Sequence, residues 1–127
     1  MLLWMKGNLL SGDKRYADAI KVFELRKGKG VMKNWMLAYC YAKSEQKNKA
    51  LQILNDQLEK SETTYVPPYM IATIYIGLGD KERALDWLEK DFETGGQGLF
   101  VWGLKRDTKF ESIRNEPRFI ALLNNIK

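Results

Sequence analysis

Few residues of this chain could do nucleophilic or metal chemistry. Its single cysteine, Cys40, lies between two tyrosines, and the sequence contains no histidine. A cysteine nucleophile needs a neighbouring base, usually histidine, to form the thiolate. Histidine is also the commonest metal ligand, and one cysteine can form neither an intrachain disulfide nor a cysteine-rich zinc site. We therefore interpret Cys40 as a small buried apolar side chain, and we predict a non-enzymatic protein with no metal and no cofactor.

Two further patterns resemble catalytic or phosphate-binding motifs but lack their context. Glu89, Asp91 and Glu93 follow one another at intervals of two, which places neighbouring carboxylates on different faces of a helix, so we interpret them as a solvated face. The pairs Gly77-Leu-Gly79 and Gly28-Lys-Gly30 neither follow a strand nor continue into a dinucleotide-binding or P-loop motif. Turn formation explains these glycines better than phosphate binding does.

Composition and charge restrict the kinds of partner. The chain has 127 residues, a formal net charge of +5, and 45% hydrophobic and 29% charged residues, as a folded globular domain does. Cations concentrate at two places in the sequence: Arg26, Lys27, Lys29 and Lys33, and Lys105, Arg106, Lys109, Arg114 and Arg118. This moderate positive charge is compatible with an acidic partner, but it is less concentrated than the positive charge on the surface of a dedicated nucleic-acid-binding protein. No apolar run approaches the ~20 residues that cross a bilayer, so we expect a cytoplasmic protein without a membrane segment.

A segment that recurs three times in the sequence indicates the secondary structure of the chain. In each copy a turn is followed by an alanine, a large apolar residue beside it, and another large apolar residue one helical turn later. The alanines are spaced by 31 and 34 residues. Small residues also precede each turn, where two helices would cross closely. The aligned small residues are Gly7, Ala38 and Ala72 before the turns, and Ala19, Ala50 and Ala84 after them.

This pattern predicts six helices paired into three hairpins. The predicted helices span 2–11, 15–27, 31–43, 47–60, 67–78 and 81–94. Gly79 suits the left-handed position that ends a helix, and Asp80 suits the cap of the next one. The turn at 44–48 has no glycine, so we expect it to be the least regular. The predicted core between the helices consists of Ile20, Phe23, Leu51, Leu54, Leu58, Leu85, Leu88 and Phe92.

The clearest copy, at 77–90, and the period of about 34 residues resemble the tetratricopeptide repeat (TPR). The resemblance covers residues 1–94. It implies an all-α, TPR-like helical-hairpin solenoid of about three helix pairs, at approximately 1–30, 31–64 and 65–94. A glycine-rich break at 95–98 and a short helical C-terminal cap at 99–127 would follow, because the last repeat of a solenoid needs a polar-backed cover.

The tail is similar to a segment that ends such arrays in bacterial multidomain signalling proteins. That segment reads Leu-Lys-x-Asp-Pro-x-Phe-x-x-Leu-Arg-x-Asp-Pro-Arg-Phe, and residues 104–119 follow it with Thr108 for the first proline and Glu116 for the second aspartate. Together with a first predicted helix that has no capping residue before Met1, this similarity predicts the C-terminal part of a longer bacterial protein. An apolar stripe is predicted within the tail at Phe110, Ile113, Phe119, Leu122, Leu123 and Ile126.

The resemblance also implies a binding surface, because the first helices of successive TPR pairs line a concave groove. Family members that clamp the carboxylate tails of chaperones carry lysine, asparagine and arginine there, and this chain retains only Asn8, so that clamp is not expected. The implied function is a non-catalytic scaffold or adaptor that binds a peptide or helix of a protein partner in an aromatic and methionine-lined groove. Carried over residue by residue, the groove positions are Trp4, Asn8, Trp35, Met36, Tyr39, Lys43, Tyr69, Met70 and Thr73.

Three alternatives stay open from the sequence. Trp4, Trp35 and Tyr69 could pack against one another or against further repeats, and not against a partner. Leucines at the N-terminal edge, residues 2, 3, 9 and 10, would suit self-assembly, including a homodimer. Aromatic side chains flanked by cations would suit an RNA-binding helical repeat, although the modest charge argues against a nucleic-acid partner.

Overall fold

The computed structural model describes residues 15–25, 31–94 and 108–125, without the side chains of residues 31–33, 108 and 125. Within these ranges the chain is helical and contains no strand, so the predicted all-α class is confirmed. The elements are α1 (Tyr16–Glu24), α2 (Val31–Lys43), α3 (Lys47–Ser61), α4 (Pro68–Leu78), α5 (Lys81–Glu93), a 3-10 helix (Thr108–Ile113) and α6 (Pro117–Asn125). Among these helices, none combines the length and the apolar composition that crossing a membrane requires.

The helices form stacked hairpins. α2 and α3 pack together as one hairpin, α4 and α5 as the next, and α1 packs on α2. The first helices of these two hairpins, α2 and α4, lie against each other, and α3 also contacts α4. This arrangement of consecutive helical hairpins confirms the TPR-like fold. The predicted helix at 2–11 lies outside the described residues.

Small side chains make the close helix crossings that the repeat predicted. Ala19, Ala38, Ala50, Ala72 and Ala84 are each 0% exposed. Because alanine adds little volume beyond the backbone, two helices can approach at these points while larger neighbours fill the space around them. The burial expected at helix crossings is therefore confirmed at these five positions, and the sixth, Gly7, lies outside the described residues.

Two residues of the predicted core lie largely at the surface. Leu51 is 41% exposed and Phe92 is 39% exposed, whereas the other predicted core residues are buried or pack against the core. Each of the two directly follows a buried residue, Ala50 or Asp91, and is therefore rotated by about 100° around its helix. The core prediction was therefore wrong at these two positions, although Leu85, which follows Ala84 in the same way, is buried.

The two described hairpin turns use the same backbone geometry with different residues. Gly79 ends α4 at a φ of 83°, and the Asp80 backbone N–H donates to the Tyr75 carbonyl at 3.0 Å. One repeat earlier, Glu45 takes a φ of 67°, and the Gln46 N–H donates to the Tyr41 carbonyl at 2.8 Å. The turn without glycine therefore keeps this geometry by placing a glutamate in the left-handed region, where glycine is the usual residue.

Replacing Glu45 with glycine should stabilise the chain. The substitution removes the strain of a left-handed glutamate, so we expect the free energy of unfolding to rise by about 0.5–1 kcal/mol. Gly79→Ala should lower it by about 1 kcal/mol, even though a Cβ there would meet nothing within 4 Å, because its φ is positive. Urea unfolding followed by circular dichroism measures both. The control is Glu59→Gly inside α3, which should be destabilising; a loss of stability in Glu45→Gly as well would contradict the strain argument.

The tail docks on the last hairpin through two short helices. The 3-10 helix contacts α4, and α6 contacts α5. Phe110, Ile113, Phe119 and Leu122 are buried, and Leu123 packs partly against the core. The predicted apolar stripe is confirmed at these five positions, while Ile126 lies outside the described residues.

Candidate interaction site on the first helices

The described residues of the predicted groove lie on α2 and α4, the two first helices. Lys43 is exposed at the end of α2. Trp4 and Asn8 lie outside the described residues. The other six side chains are buried: Trp35, Met36, Tyr39, Tyr69, Met70 and Thr73. In this structure most of the predicted groove residues are therefore covered by other parts of the chain.

Four aromatic rings form a continuous row from α2 to the tail. Trp35 meets Tyr69 edge to face, with ring centroids 6.1 Å apart at 79°. Tyr69 meets Phe110 of the 3-10 helix at 5.4 Å, and Phe110 stacks on Phe119 of α6 at 6.4 Å and 17°. Such ring pairs are favourable beyond the apolar area that they bury. We call Trp35, Tyr69, Phe110 and Phe119 the aromatic row; it joins two successive repeats to the tail.

Tyr39 is the centre of a second group of contacts on the same helices. Its ring meets Tyr16 of α1 edge to face at 6.0 Å. The Lys43 ammonium lies 6.0 Å from the Tyr39 ring centroid, and the Lys109 ammonium lies 5.9 Å from it. Cations near an aromatic face are attracted by its negative electrostatic potential. Since Lys109 belongs to the 3-10 helix, the tail reaches α2 as well as α4.

Three of the predicted groove residues belong to the interior between the helices. Met36 and Met70 are almost completely buried members of the main core. Each is rotated by about 100° from the aromatic residue before it, Trp35 or Tyr69. Thr73 is also buried, and its hydroxyl donates to the Tyr69 carbonyl at 2.9 Å. Trp35, Tyr39 and Tyr69 belong to the same buried core, and Tyr39 and Tyr69 also contact the tail, through Lys109 and Phe110.

Arg118 holds the tail to α5 through three carboxylates. Its Nε and Nη2 donate to the two Glu89 oxygens at 2.9 and 2.7 Å, and Nη2 also donates to Asp86 at 2.6 Å. Nη1 donates to Glu82 at 3.3 Å. These carboxylates share one face of α5 because they are spaced by four and three residues. We call Glu82, Asp86 and Glu89 the acidic face of α5.

The ion pairs between the tail and α5 shift the pKa values of Glu89 and Arg118. The hydrogen bonds from Arg118 hold the pKa of Glu89 below its ordinary value, and Glu89 and Asp86 raise the pKa of Arg118. The Arg118 side chain is 35% exposed, so water weakens the attraction. The sequence grouped Arg118 with a cationic area; the structure shows that its charge is compensated within the chain.

Asp91 is a functional candidate that the sequence interpretation missed. It is 7% exposed, so the prediction of a solvated face is wrong for this residue, although Glu93 is exposed. The backbone N–H of Tyr69, in the first turn of α4, donates to the carboxylate. First-turn N–H groups have no acceptor within their helix, so Asp91 satisfies one of them. Burial nevertheless raises the pKa of Asp91, and this hydrogen bond opposes the rise.

Gln57 occupies the position equivalent to Asp91 in the preceding repeat, 34 residues earlier. It is fully buried, and neither atom of its amide has a hydrogen-bond partner among the described residues. Both residues come seven positions after a crossing alanine, Ala50 or Ala84, and so lie on the buried stripe. This spacing is the signal in the sequence that could have identified them.

Asp91→Asn should remove a pH dependence of stability. A raised pKa means that the folded state retains a proton which the unfolded chain releases. The contribution of this proton to the stability of the fold is complete below the ordinary pKa of 3.8, and it is lost as pH rises through the folded pKa. Asparagine keeps an oxygen acceptor for the Tyr69 N–H without the charge. We therefore expect the variant to gain stability relative to the wild type as pH rises above the ordinary pKa of 3.8.

Urea midpoints measured as a function of pH test the expectation for Asp91. Glu93→Gln is the matched control, because it removes an exposed carboxylate from the same helix. A variant Asp91→Asn that loses stability relative to the wild type as pH rises would show that the carboxylate stabilises the start of α4 more than burial destabilises it.

Cys40 is buried, as its neighbours in the sequence predicted. The adjacent Tyr41 hydroxyl donates to the Glu24 carboxylate of α1 at 2.5 Å, and burial together with Glu24 raises the pKa of Tyr41. No cluster of three potential metal ligands occurs within the part of the chain that the structure describes. These contacts connect α1 to α2 and present no reactive group to solvent.

An open depression of about 420 Å³ lies at the turn between α2 and α3. It is lined by Ala42, Glu45, Gln46, Lys47, Asn48 and Lys49. None of the predicted groove residues lines it. The Lys49 ammonium lies 5.3 Å from the centroid of the Tyr41 ring, so this cation already has an aromatic neighbour within the chain.

Stacked helical hairpins with small residues at their crossings define the class of α-helical repeat proteins. A family model described as tetratricopeptide repeat matches residues 69–90, which cover most of α4 and α5. This match and the stacked helical hairpins support a TPR-type protein. Repeats of this type are in general non-enzymatic protein–protein interaction modules. The curated proteins and the solved structures gave no significant match to this chain.

Proposed function

We propose that this chain is a non-catalytic scaffold or adaptor that binds a peptide or helix of a protein partner on the face formed by α2 and α4. The observation that carries the proposal is the aromatic row. Trp35 and Tyr69 occupy equivalent positions in successive repeats, 34 residues apart, and their rings are in contact. Aromatic side chains are the commonest energetic anchors of protein interfaces.

The proposed mechanism is preorganisation. Trp35, Tyr39 and Tyr69 supply rigid aromatic area, and Met36, Met70 and Thr73 support it from the core. Because the stacked helices already hold these side chains in place, binding a partner costs little ordering entropy. Lys43, exposed at the rim, favours an acidic group on the partner. Trp4 and Asn8 would extend the same face in the preceding repeat.

Site-specific photocrosslinking tests this proposal. Benzoylphenylalanine is placed at Lys43, on the rim of the proposed surface, or at Lys60, an exposed control position on the second helix α3. In the cells that make the protein, we expect Lys43 to give a crosslinked protein that Lys60 does not give. Crosslinking at both positions to the same proteins, or at Lys60 alone, would place recognition elsewhere.

Of the three alternatives, internal packing is observed for Trp35 and Tyr69, whose buried rings meet each other, while the other two receive no support from the described residues. Self-assembly through the N-terminal edge concerns residues 1–14, which lie outside the described residues. The RNA-binding alternative requires cations that can contact phosphates beside aromatic faces, whereas Arg118 is paired with carboxylates of α5. The division into three repeats, a glycine-rich break and a cap, the cytoplasmic location and the bacterial multidomain parent remain predictions.

A further inference from the structure

The tail segment, residues 108–125, covers the surface on which the proposed partner would bind. Phe110 continues the row formed by Trp35 and Tyr69, and Lys109 approaches the Tyr39 ring. The covered residues come from both first helices. A protein partner that contacts Trp35, Tyr39 and Tyr69 therefore competes with the tail for the same side chains.

The attachment of the tail resembles that of a bound peptide. Its aromatic anchors, Phe110 and Phe119, are nine residues apart, and Arg118 directly precedes the second anchor. Both aromatic rings are buried, whereas the carboxylates that receive Arg118 are 38–83% exposed. Exposed ion pairs contribute little energy individually, so the aromatic anchors supply most of the affinity and the arginine fixes the register.

We propose that the tail segment is an intramolecular ligand, with its 3-10 helix on the α2–α4 face and α6 on α5, and that a partner binds after the tail undocks. The partner segment that replaces the tail then has the same chemistry: two aromatic residues about nine positions apart, with an arginine before the second. This inference rests on the proposed function, since it concerns the same surface. While the tail is docked, the apparent affinity for a partner is reduced in proportion to the undocked fraction.

A labelled synthetic peptide with the sequence of residues 108–125 tests the inference without any partner protein. Its binding to the full chain is measured by fluorescence anisotropy, for the wild type and for Arg118→Glu, which places a carboxylate against the acidic face of α5. The variant alters only the tail and leaves the receiving surface intact. We expect the peptide to bind Arg118→Glu at least about tenfold more tightly than the wild type.

Two controls establish where the peptide binds. Lys47→Glu makes the same charge change on α3, away from the tail, and should bind like the wild type. A peptide with both phenylalanines replaced by alanine should lose binding to Arg118→Glu. In a charge swap, the chain with Asp86→Arg and Glu89→Arg should prefer a peptide carrying Arg118→Glu over the wild-type peptide.

Several outcomes would overturn the inference. If Arg118→Glu remains helical by circular dichroism but does not bind the peptide, the tail is a fixed part of the fold. Equal binding to the wild type and Arg118→Glu would place the peptide on another surface. Should Arg118→Glu lose its helices, Arg118→Gln, which removes the charge without repulsion, is measured in its place with the same expected direction. Crosslinking at Lys43 tests the partner surface separately, so failure of the two proposals can be distinguished.

Discussion

Replacing Phe119 with alanine should undock the tail while the hairpins α2–α5 stay folded. Phe119 is fully buried, stacks on Phe110, and stands beside Arg118. Removing a buried phenylalanine ring costs about 3–5 kcal/mol. At an average of about 0.05–0.15 kcal/mol per residue, an 18-residue segment such as the tail contributes only about 1–3 kcal/mol to stability. The free energy lost by the substitution therefore exceeds the free energy that the docked tail contributes.

Two-dimensional amide NMR spectra distinguish this result from general destabilisation. In Phe119→Ala, the amide resonances of residues 108–125 should move to random-coil positions, whereas those of α4 should keep their dispersion. Ile120→Ala is the matched control, because its side chain is 44% exposed on the same helix and should change stability by no more than about 0.5 kcal/mol. Loss of the α4 resonances together with those of the tail would contradict a separately docked segment.

Gly77→Leu should be the most destabilising single change in the contact between successive repeats. A Cβ at this position would lie 3.1 Å from the Tyr39 ring, 3.2 Å from the Ala42 Cβ and 3.2 Å from the Tyr39 carbonyl oxygen. The backbone oxygen cannot move aside without displacing α2. Leucine is a better helix former than glycine by less than about 1 kcal/mol, which does not offset a steric cost of about 3 kcal/mol.

Thermal and urea unfolding of Gly77→Leu measure this cost. Gln52→Leu introduces the same side chain at an exposed position of α3 and should leave stability within about 0.5 kcal/mol of the wild type. Gly77→Ala should have a smaller effect, because it adds one methyl group and improves helix propensity. A variant Gly77→Leu as stable as the wild type would show that α2 and α4 do not pack as closely as the structure has them.

The sequence predicted the hairpins well because the local signals and the repeat agree. The bounds of α2 are those predicted, and α3, α4 and α5 differ from the prediction by one residue at an end. The crossing alanines and the turn at Gly79 each require small or left-handed residues at fixed positions. Helix α1 is described only to Glu24, where the prediction extended to residue 27. Such boundaries depend on few local contacts, so they are the weakest part of a sequence prediction.

The candidate site was predicted less completely, because burial by a distant segment leaves no periodic signal. The pattern identified Trp35, Tyr39 and Tyr69, but the contact of Phe110 with Tyr69 joins residues 41 positions apart. Arg118 and Glu89 were each noted for charge, yet their pairing depends on how α6 lies against α5. The charge of Asp91 favours a solvated position, whereas its spacing from Ala84 places it on the buried stripe, and the structure shows that the spacing decides.

Hydrogen exchange of the full chain, followed by mass spectrometry, tests most directly whether the tail opens on its own. We expect the α6 amides to exchange with a lower protection free energy than the α4 amides, and we expect Arg118→Ala to accelerate exchange in α6 while leaving α4 unchanged. If α6 and α4 instead exchange with the same free energy in the wild type, and both respond equally to Arg118→Ala, the tail opens only when the whole chain unfolds. That result would contradict the role of the tail as a displaceable ligand.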